Sequence, residues 1–317
     1  MGMNVTDQQT IKQDNIIQPF QIEHTSLRGR GVTIGEELDK ILQAHNYPYP
    51  VAHMVAETLV LTMLLSSMLK YDGIFTLQAK GDGAMSMLVS DMTSKGDLRA
   101  CATFDPERLE VSREALSALK TPEGSENHLA QYLGQGHMAF TVDQVGQRDR
   151  YQGIVALEGS SLVDCVQHYF AQSEQIRTGI KVAVGLRDGK WRGGGIMLQA
   201  MPENDGNQEN VQVSNVHEDD WRRSMVLLGS CTEDELLNPD LPIDDLLFRL
   251  FHEDGVRVYD PLTVQKKCRC DAQRVENVVA SLPEEERHFL VKDGAIEVVC
   301  EFCSNTYRLN PDTGKAL

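Results

Sequence analysis

Between Val51 and Leu69 the chain reads VAHMVAETLVLTMLLSSML, a run with almost no polar face. It is long enough to span a bilayer. It also carries His53, Glu57 and several hydroxyls, without an aromatic belt or a positive flank, so a helix buried inside a soluble domain is expected. Around it, shorter runs alternate apolar and polar positions between glycines: GIFTLQAKG (73–81), MSMLVSD (85–91), HMAFTVDQ (137–144) and YQGIVALEG (151–159). That period of two predicts strands. The paired glycines in KGDGAM (80–85) and LGQGHM (133–138) suit turns, and neither has the spacing of a phosphate-binding loop. In SLVDCVQHYFAQSEQI (161–176), Leu162, Val166 and Tyr169 recur at helical spacing. Residues 1–202 therefore read as a mixed α/β core domain whose first 20 residues form a polar leader.

The pattern changes after residue 202. ENDGNQENVQVSN (203–215) has linker composition, and amphipathic helices follow. Trp221, Met225 and Leu228 share one face of HEDDWRRSMVLLGS (217–230), and Thr232 with Glu235 forms a capping box for a short helix. In PIDDLLFRLFHEDG (242–255), Ile243, Leu246, Leu247 and Leu250 lie at i, i+3, i+4 and i+7, Phe248 and Phe251 widen the stripe, and Gly255 ends the helix. Helices this short are unstable alone and must dock on something. Residues 203–261 are expected to form a metastable helical linker whose apolar face is Ile243, Leu246, Leu247, Leu250 and Phe251.

Chemistry concentrates in 262–317. CRC (268–270) is followed by 29 residues and then CEFC (300–303). Ile296 and Val298 alternate before the second pair, and Tyr307 and Leu309 after it, which predicts a β-hairpin with the cysteines at its tip. Between the pairs, Asp271 caps a helix reaching Leu282, and Pro283 starts a second, EEERHFLVKDG, that Gly294 ends. Two thiol pairs brought together in this way match a tetrahedral four-cysteine zinc site with Cys268, Cys270, Cys300 and Cys303 as ligands. Four thiolates complete the shell, so His252 and His288 are read as surface residues. On spacing alone, the first reading is a structural cross-link for a domain too small to build its own core. The single residue between Cys268 and Cys270 adds a second possibility. Such neighbours close only a small, strained disulfide ring, which reverses readily. Thiolates are also the form that oxidants attack, so this zinc site is a plausible oxidation-triggered unfolding device.

Composition narrows the choices. At 317 residues the chain exceeds what one core organises, and two or three domains are expected. Forty-seven acidic against 30 basic residues give a net charge of −17, which disfavours nucleic acid and anionic membrane as general partners. Lys266, Lys267 and Arg269 make a local basic spot beside the cysteines. The polar N-terminus lacks a secretion signal, and the myristoylation-like Gly2 and Thr6 read as an accidental match. A cytoplasmic protein is expected, with its thiols reduced and Cys101, Cys165 and Cys231 packed as apolar side chains. His53, His137 and His168 are isolated, and no triad or carboxylate pair has recognisable spacing. No catalytic residue or organic cofactor is assigned. The alternatives to a switched protein are an enzyme or a nucleic-acid binder with a purely structural zinc module, or a thiol oxidoreductase using CEFC.

The CxC and CxxC pairs resemble the hallmark of the redox-regulated 33-kilodalton heat-shock chaperone family. The likeness extends over RGRGVTIGEELDKIL (28–42), YDGIFTLQAKGDGAM (71–85), GQGHMAFTVDQ (134–144), YQGIVALEG (151–159), HYFAQSEQI (168–176), GGGIMLQAMP (193–202) and LLFRLFHEDGVRVYDP (246–261). It implies an α+β architecture: a core domain, a helical linker and a small C-terminal four-cysteine zinc domain with two helices and a hairpin. It also implies an ATP-independent holdase that is quiet when reduced and zinc-bound. Oxidation would form Cys268–Cys270 and Cys300–Cys303 disulfides, release zinc, unfold the linker and expose apolar surface to unfolding or oxidatively damaged clients. A homodimer on activation and hand-over to ATP-dependent foldase chaperones belong to the same implication. The longer leader and the early end of the zinc domain are the departures from the family pattern.

Overall fold

The computed structural model describes residues 14–118, 129–146, 150–201 and 218–317. The polar stretch 203–215 and the first 13 residues of the expected leader lie outside these. The chain begins with β1 (Ile16–Ile22), β2 (Leu27–Ile34), α1 (Glu36–Gln43) and α2 (Tyr49–Ser66). Next come β3 (Gly73–Gly81), β4 (Met85–Thr93), β5 (Asp97–Phe104) and α3 (Pro106–Ala118). The core is completed by β6 (Gly136–Gln144), β7 (Tyr151–Ala156), α4 (Leu162–Tyr169), β8 (Thr178–Arg187) and β9 (Lys190–Ala200). Helices α5 (Glu218–Ser230), α6 (Glu233–Leu236) and α7 (Ile243–Phe251) follow, then the short strands β10 (Val256–Val258), β11 (Leu262–Thr263) and β12 (Gln265–Lys266). The C-terminal module holds α8 (Ala272–Ala280), α9 (Glu284–Phe289), β13 (Val291–Lys292), β14 (Ala295–Val299) and β15 (Thr306–Leu309).

Two six-stranded sheets enclose α2. One runs β10-β1-β2-β9-β8, with β11 also on β1, and the other runs β12-β5-β4-β3-β6-β7. β12 lies parallel to β5, while the other described ladders are antiparallel. Apolar residues surround α2 on all sides because it packs against both sheets, and 78% of it is buried there despite a length and composition that would suit a bilayer. The expected buried helix is thus the centre of the core.

Glycines decide what lies on either side of β9. A Cβ on Gly193 or Gly195 would meet Val60 of α2 at 2.7 or 3.0 Å, whereas one on Gly194 would meet the Leu236 carbonyl oxygen of α6 at 2.3 Å. Successive residues of a strand face opposite sides, so the run of three glycines lets helices approach the sheet backbone from both. Gly31 does the same for α7, where an added Cβ would sit 2.6 Å from Ile243. Helices α6 and α7 therefore dock on a sheet face shaped for them. Ile243, Leu246, Leu247 and Phe251 are buried with Phe20, Ile22, Leu27, Ile196 and Leu198.

Several details differ from the sequence reading. Residues 16–20, read as the end of a polar leader, lie in β1, which pairs with both β2 and the β10–β11 segment. The helix expected over 161–176 stops at Tyr169 and ends in a π-helical turn, Phe170–Glu174, with Gln175 in the left-handed conformation. The second helix of the C-terminal module ends at Phe289. Asp293 and Gly294, both at positive φ, make a two-residue turn that pairs β13 with β14. Phe248, placed on the linker's apolar stripe, points outward and is 62% exposed. Leu250 is half-buried at the rim of the docked face.

Candidate metal centre

The β14–β15 hairpin carries Cys300 and Cys303 at its tip. The Ser304 N–H donates to the Cys300 carbonyl at 2.8 Å, and the Cys300 N–H donates to the Asn305 carbonyl at 2.9 Å, closing the knuckle. Ser304 has a positive φ, which turns the chain back into β15. Opposite the knuckle, Cys268 and Cys270 precede α8, whose first turn is capped by the Asp271 side chain accepting from the Arg274 N–H at 2.8 Å. The four sulfurs lie within 4.8 Å of one another. Cys268 and Cys300 are 3.7 Å apart, and Cys270 and Cys303 are 3.4 Å apart. A tetrahedral zinc–thiolate site has sulfurs about 3.8 Å apart, so the arrangement is compatible with zinc. His252 sits at the end of α7 and His288 on α9, and neither joins the sulfur group.

The sulfurs are tied to the core domain as well as to each other. Asp91 of β4 is 3% exposed and accepts from the two terminal guanidinium nitrogens, Nη1 and Nη2, of Arg269 at 2.7 and 2.8 Å. It also accepts from Nε of Arg99 on β5 at 2.9 Å. Arg99 in turn lies 3.8 Å from the Cys268 sulfur and stacks on the Phe302 ring, its guanidinium carbon 3.8 Å from the ring centre. One buried carboxylate thus joins the residue between the first two cysteines to a cation that reaches both halves of the cluster. His45 adds a second tie, with one ring nitrogen 3.2 Å from the Phe302 carbonyl and the other 3.2 Å from the Ser304 hydroxyl. The basic spot is taken up by these contacts. Arg269 is on Asp91, Lys267 pairs with Asp97 at 3.1 Å, and the Lys266 ammonium donates to the Lys40 carbonyl at 2.7 Å.

The thiols are not equivalent. Burial pushes the Cys268 thiol up, but hydrogen bonds from Cys270 and the Arg99 guanidinium outweigh it and hold the group down at about 7. Burial and neighbouring thiols push Cys303 up to about 12. Cys270 is also raised by burial, although the Tyr307 hydroxyl donates to its sulfur at 3.2 Å. Cys101, Cys165 and Cys231 are buried, and desolvation raises each to about 11 or 12. They are poor nucleophiles, in keeping with their scattered positions in the sequence. Sequence reasoning did not identify Asp91, Arg99 or His45. Asp91 sits in a correctly expected strand, and an acid inside such a run is the one signal that was available.

Comparison with known proteins agrees with this architecture. The model of the Hsp33 protein family matches residues 15–310. The 33 kDa chaperonin of Caulobacter vibrioides is 38% identical over 303 residues, spanning 94% of this chain and 95% of the relative. The 33 kDa chaperonin of Escherichia coli O7:K1 is 36% identical over 299 residues, spanning 94% of this chain and 93% of the relative. A fold with two such sheets, docked linker helices and a four-cysteine module places the chain in a distinct class, and the chain belongs to the Hsp33 family. Its fold matches the crystal structure of the 33 kDa chaperonin, a heat shock protein 33 homologue, from Thermotoga maritima. The TM-score is 0.76, with 20% identity, over 95% of this chain and 96% of that one.

Proposed function

We propose that the protein is a redox-switched, ATP-independent holdase that binds unfolding polypeptides. The observation that carries this reading is the physical continuity of four clustered thiols, an ion-paired tie to the core and a linker docked by a few apolar side chains. Family membership supplies the chaperone class. Zinc held by Cys268, Cys270, Cys300 and Cys303 would keep the sulfurs as thiolates and cross-link a module that has little core of its own.

Oxidation of each thiol pair removes two electrons and forms one S–S bond. A peroxide accepts the electrons and leaves as water or hydroxide. We assign the pairs as Cys268–Cys270 and Cys300–Cys303. Neither disulfide preserves the four-sulfur cross-link between the CRC segment and the hairpin. Arg269 then loses its placement over Asp91, Arg99 loses its sulfur and ring partners, and the β10–β12 segment loses its anchor. Helices α5–α7 are too short to hold on their own. Their release uncovers the apolar face of the β1-β2-β9-β8 sheet for clients. The −17 charge keeps the opened form dispersed. Dimerisation on activation, later transfer to ATP-dependent foldases and a cytoplasmic setting complete the proposal.

Aggregation of a chemically unfolded client is measured with reduced protein and with peroxide-treated protein, while released zinc and free thiols are counted. The reading expects suppression to rise as thiols are lost and zinc appears. Equal suppression by both forms, with zinc fully released, contradicts it. Peptide mapping of the oxidised chain tests the pairing, and a Cys268–Cys300 or Cys270–Cys303 bond would refute that assignment.

A further inference from the structure

The segment leading into the metal centre runs along the edges of both large sheets. β10 and β11 pair with β1, and β12 then crosses to β5. The last pairing is brief: Gln265 lies beside Asp97 and Lys266 beside Leu98, in parallel. The Gln265 N–H donates to the Gly96 carbonyl, and the Lys267 N–H donates to the Leu98 carbonyl, both at 3.0 Å. Farther along the same edge no strand follows among the described residues, and the Ala102 N–H donates to the Tyr47 hydroxyl at 2.9 Å. The Tyr47 ring stacks on His45 with centroids 4.7 Å apart, and His45 is the residue that bonds the Phe302–Ser304 loop. Leu98 and Ala102 thus both turn their backbone groups outward, and strand alternation places Ala100 with them. Arg99 and Cys101 turn theirs toward β4.

This edge is closed by the metal module and by side chains that the module holds. It has few protections of its own. Residues 97–104 contain no proline, and Ala100, Cys101 and Ala102 leave the backbone sterically open. Proteins cover or blunt such an edge because it pairs readily with another extended chain. Here a segment of the same chain already sits on it as a strand, so the geometry of strand addition is present.

We propose that the outer edge of β5 is a strand-addition site for extended segments of client polypeptides, uncovered when the metal module lets go. The proposal rests on the switched-holdase reading and specifies one of its client surfaces. Recognition goes through main-chain groups, which suits partners of unrelated sequence. The client takes the place and direction of Gln265–Lys267, parallel to β5. This differs from capture on the apolar sheet face beneath α5–α7, which selects side chains.

The test uses the full-length oxidised, zinc-released protein and residue-resolved hydrogen exchange, with and without a chemically unfolded client. Bound client is expected to slow exchange at the Leu98, Ala100 and Ala102 amides by about tenfold or more. The Arg99 and Cys101 amides, already bonded to β4, should be slow in both states. A nine-residue peptide of Leu262–Cys270, with both cysteines replaced by serine, should displace client. N-methylation at the Gln265 and Lys267 positions removes two hydrogen bonds and should weaken that competition by about 10–30-fold. Unchanged exchange at Leu98, Ala100 and Ala102 while client is held overturns the proposal. So does fast exchange at Arg99 and Cys101, which would mean that β5 has dissolved, or equal competition by the methylated and unmethylated peptides. Oxidised protein that holds no client at all would instead strike the switched-holdase reading.

Discussion

The core domain and the C-terminal module differ in what holds each together. Among the described residues, one cluster around α2 buries forty, with both sheets contributing. The module buries Val279, Ile296 and Leu309, with Val275, Val291 and Val298 partly covered. At about 25 cal/mol per Å², a cluster that small cannot offset the chain entropy of some fifty residues. The four-thiol centre and the Asp91–Arg269–Arg99 contacts must supply the rest. Helices α5–α7 lie between these extremes, since their apolar cluster is built jointly from their own side chains and those of the β1-β2-β9-β8 sheet. Apolar burial therefore falls from the core to α5–α7 to the module, and the part with the smallest apolar cluster carries the four clustered thiols. On the proposed switch, that difference would let a local chemical event spread without dissolving the whole fold.

The sharpest way to break the contrast is to remove one ligand. Cys300→Ser should abolish tight metal binding, with a loss on the order of 10 kcal/mol in module stability. Metal content and hydrogen exchange over 268–309 read this out, while the core amides should stay protected. Leu247→Asp acts one level inward. A charge at this fully buried position should cost about 3–5 kcal/mol and undock α7. Limited proteolysis should then cut within 218–262 without oxidant, and client holding should appear in the reduced protein. Leu250→Asp, at the rim, should act in the same direction but more weakly. Gly31→Val approaches from the sheet side, pushing Ile243 outward, and should mimic Leu247→Asp in the protease assay.

Asp91→Asn sharpens the link between module and core. Both arginines lose their buried counter-charge, and a loss of about 2–4 kcal/mol in docking is expected. The variant should keep its metal when reduced but release it faster under peroxide, followed with a colorimetric chelator.

The smallest expected effect lies inside the core. Burial pushes the Glu57 carboxyl up to about 7 from an ordinary 4.5, with the nearby Asp164 adding to the rise and the Val163 N–H opposing it. The folded state therefore holds this proton more tightly than the unfolded one, and stability declines as pH rises from about 4.5 through 7. Glu57→Gln should leave the protein unchanged at pH 4 and stabilise it by about 1–3 kcal/mol at pH 8. Denaturant melts at the two pH values decide this.

Legibility follows the same gradient in a different form. The buried helix, four strands, the capping boxes at Thr232 and Ser161, the hairpin knuckle and the four clustered cysteines rest on local signals. The Thr232 box, the knuckle and the cysteine pairs are legible directly. The β8–β9 hairpin is not among the expected strands although Asp188–Gly189 marks its turn, and Asp293–Gly294, expected to end a helix, likewise turns β13 into β14. The run of three glycines in β9 hides strand character, because its purpose is close approach by helices on both faces. The ties from Asp91, Arg99 and His45 to Arg269, Cys268 and Ser304 span roughly 170 to 260 positions of sequence. No local period encodes contacts that depend on how two regions meet.

Coupling between the sulfur centre and the docked linker is tested most directly by hydrogen exchange over α5–α7 during a peroxide titration, with zinc release recorded on the same samples. Protection at Leu246, Leu247 and Phe251 should collapse over the same oxidant range in which zinc leaves, while α2 remains protected. Zinc leaving completely with α5–α7 still protected would contradict the account.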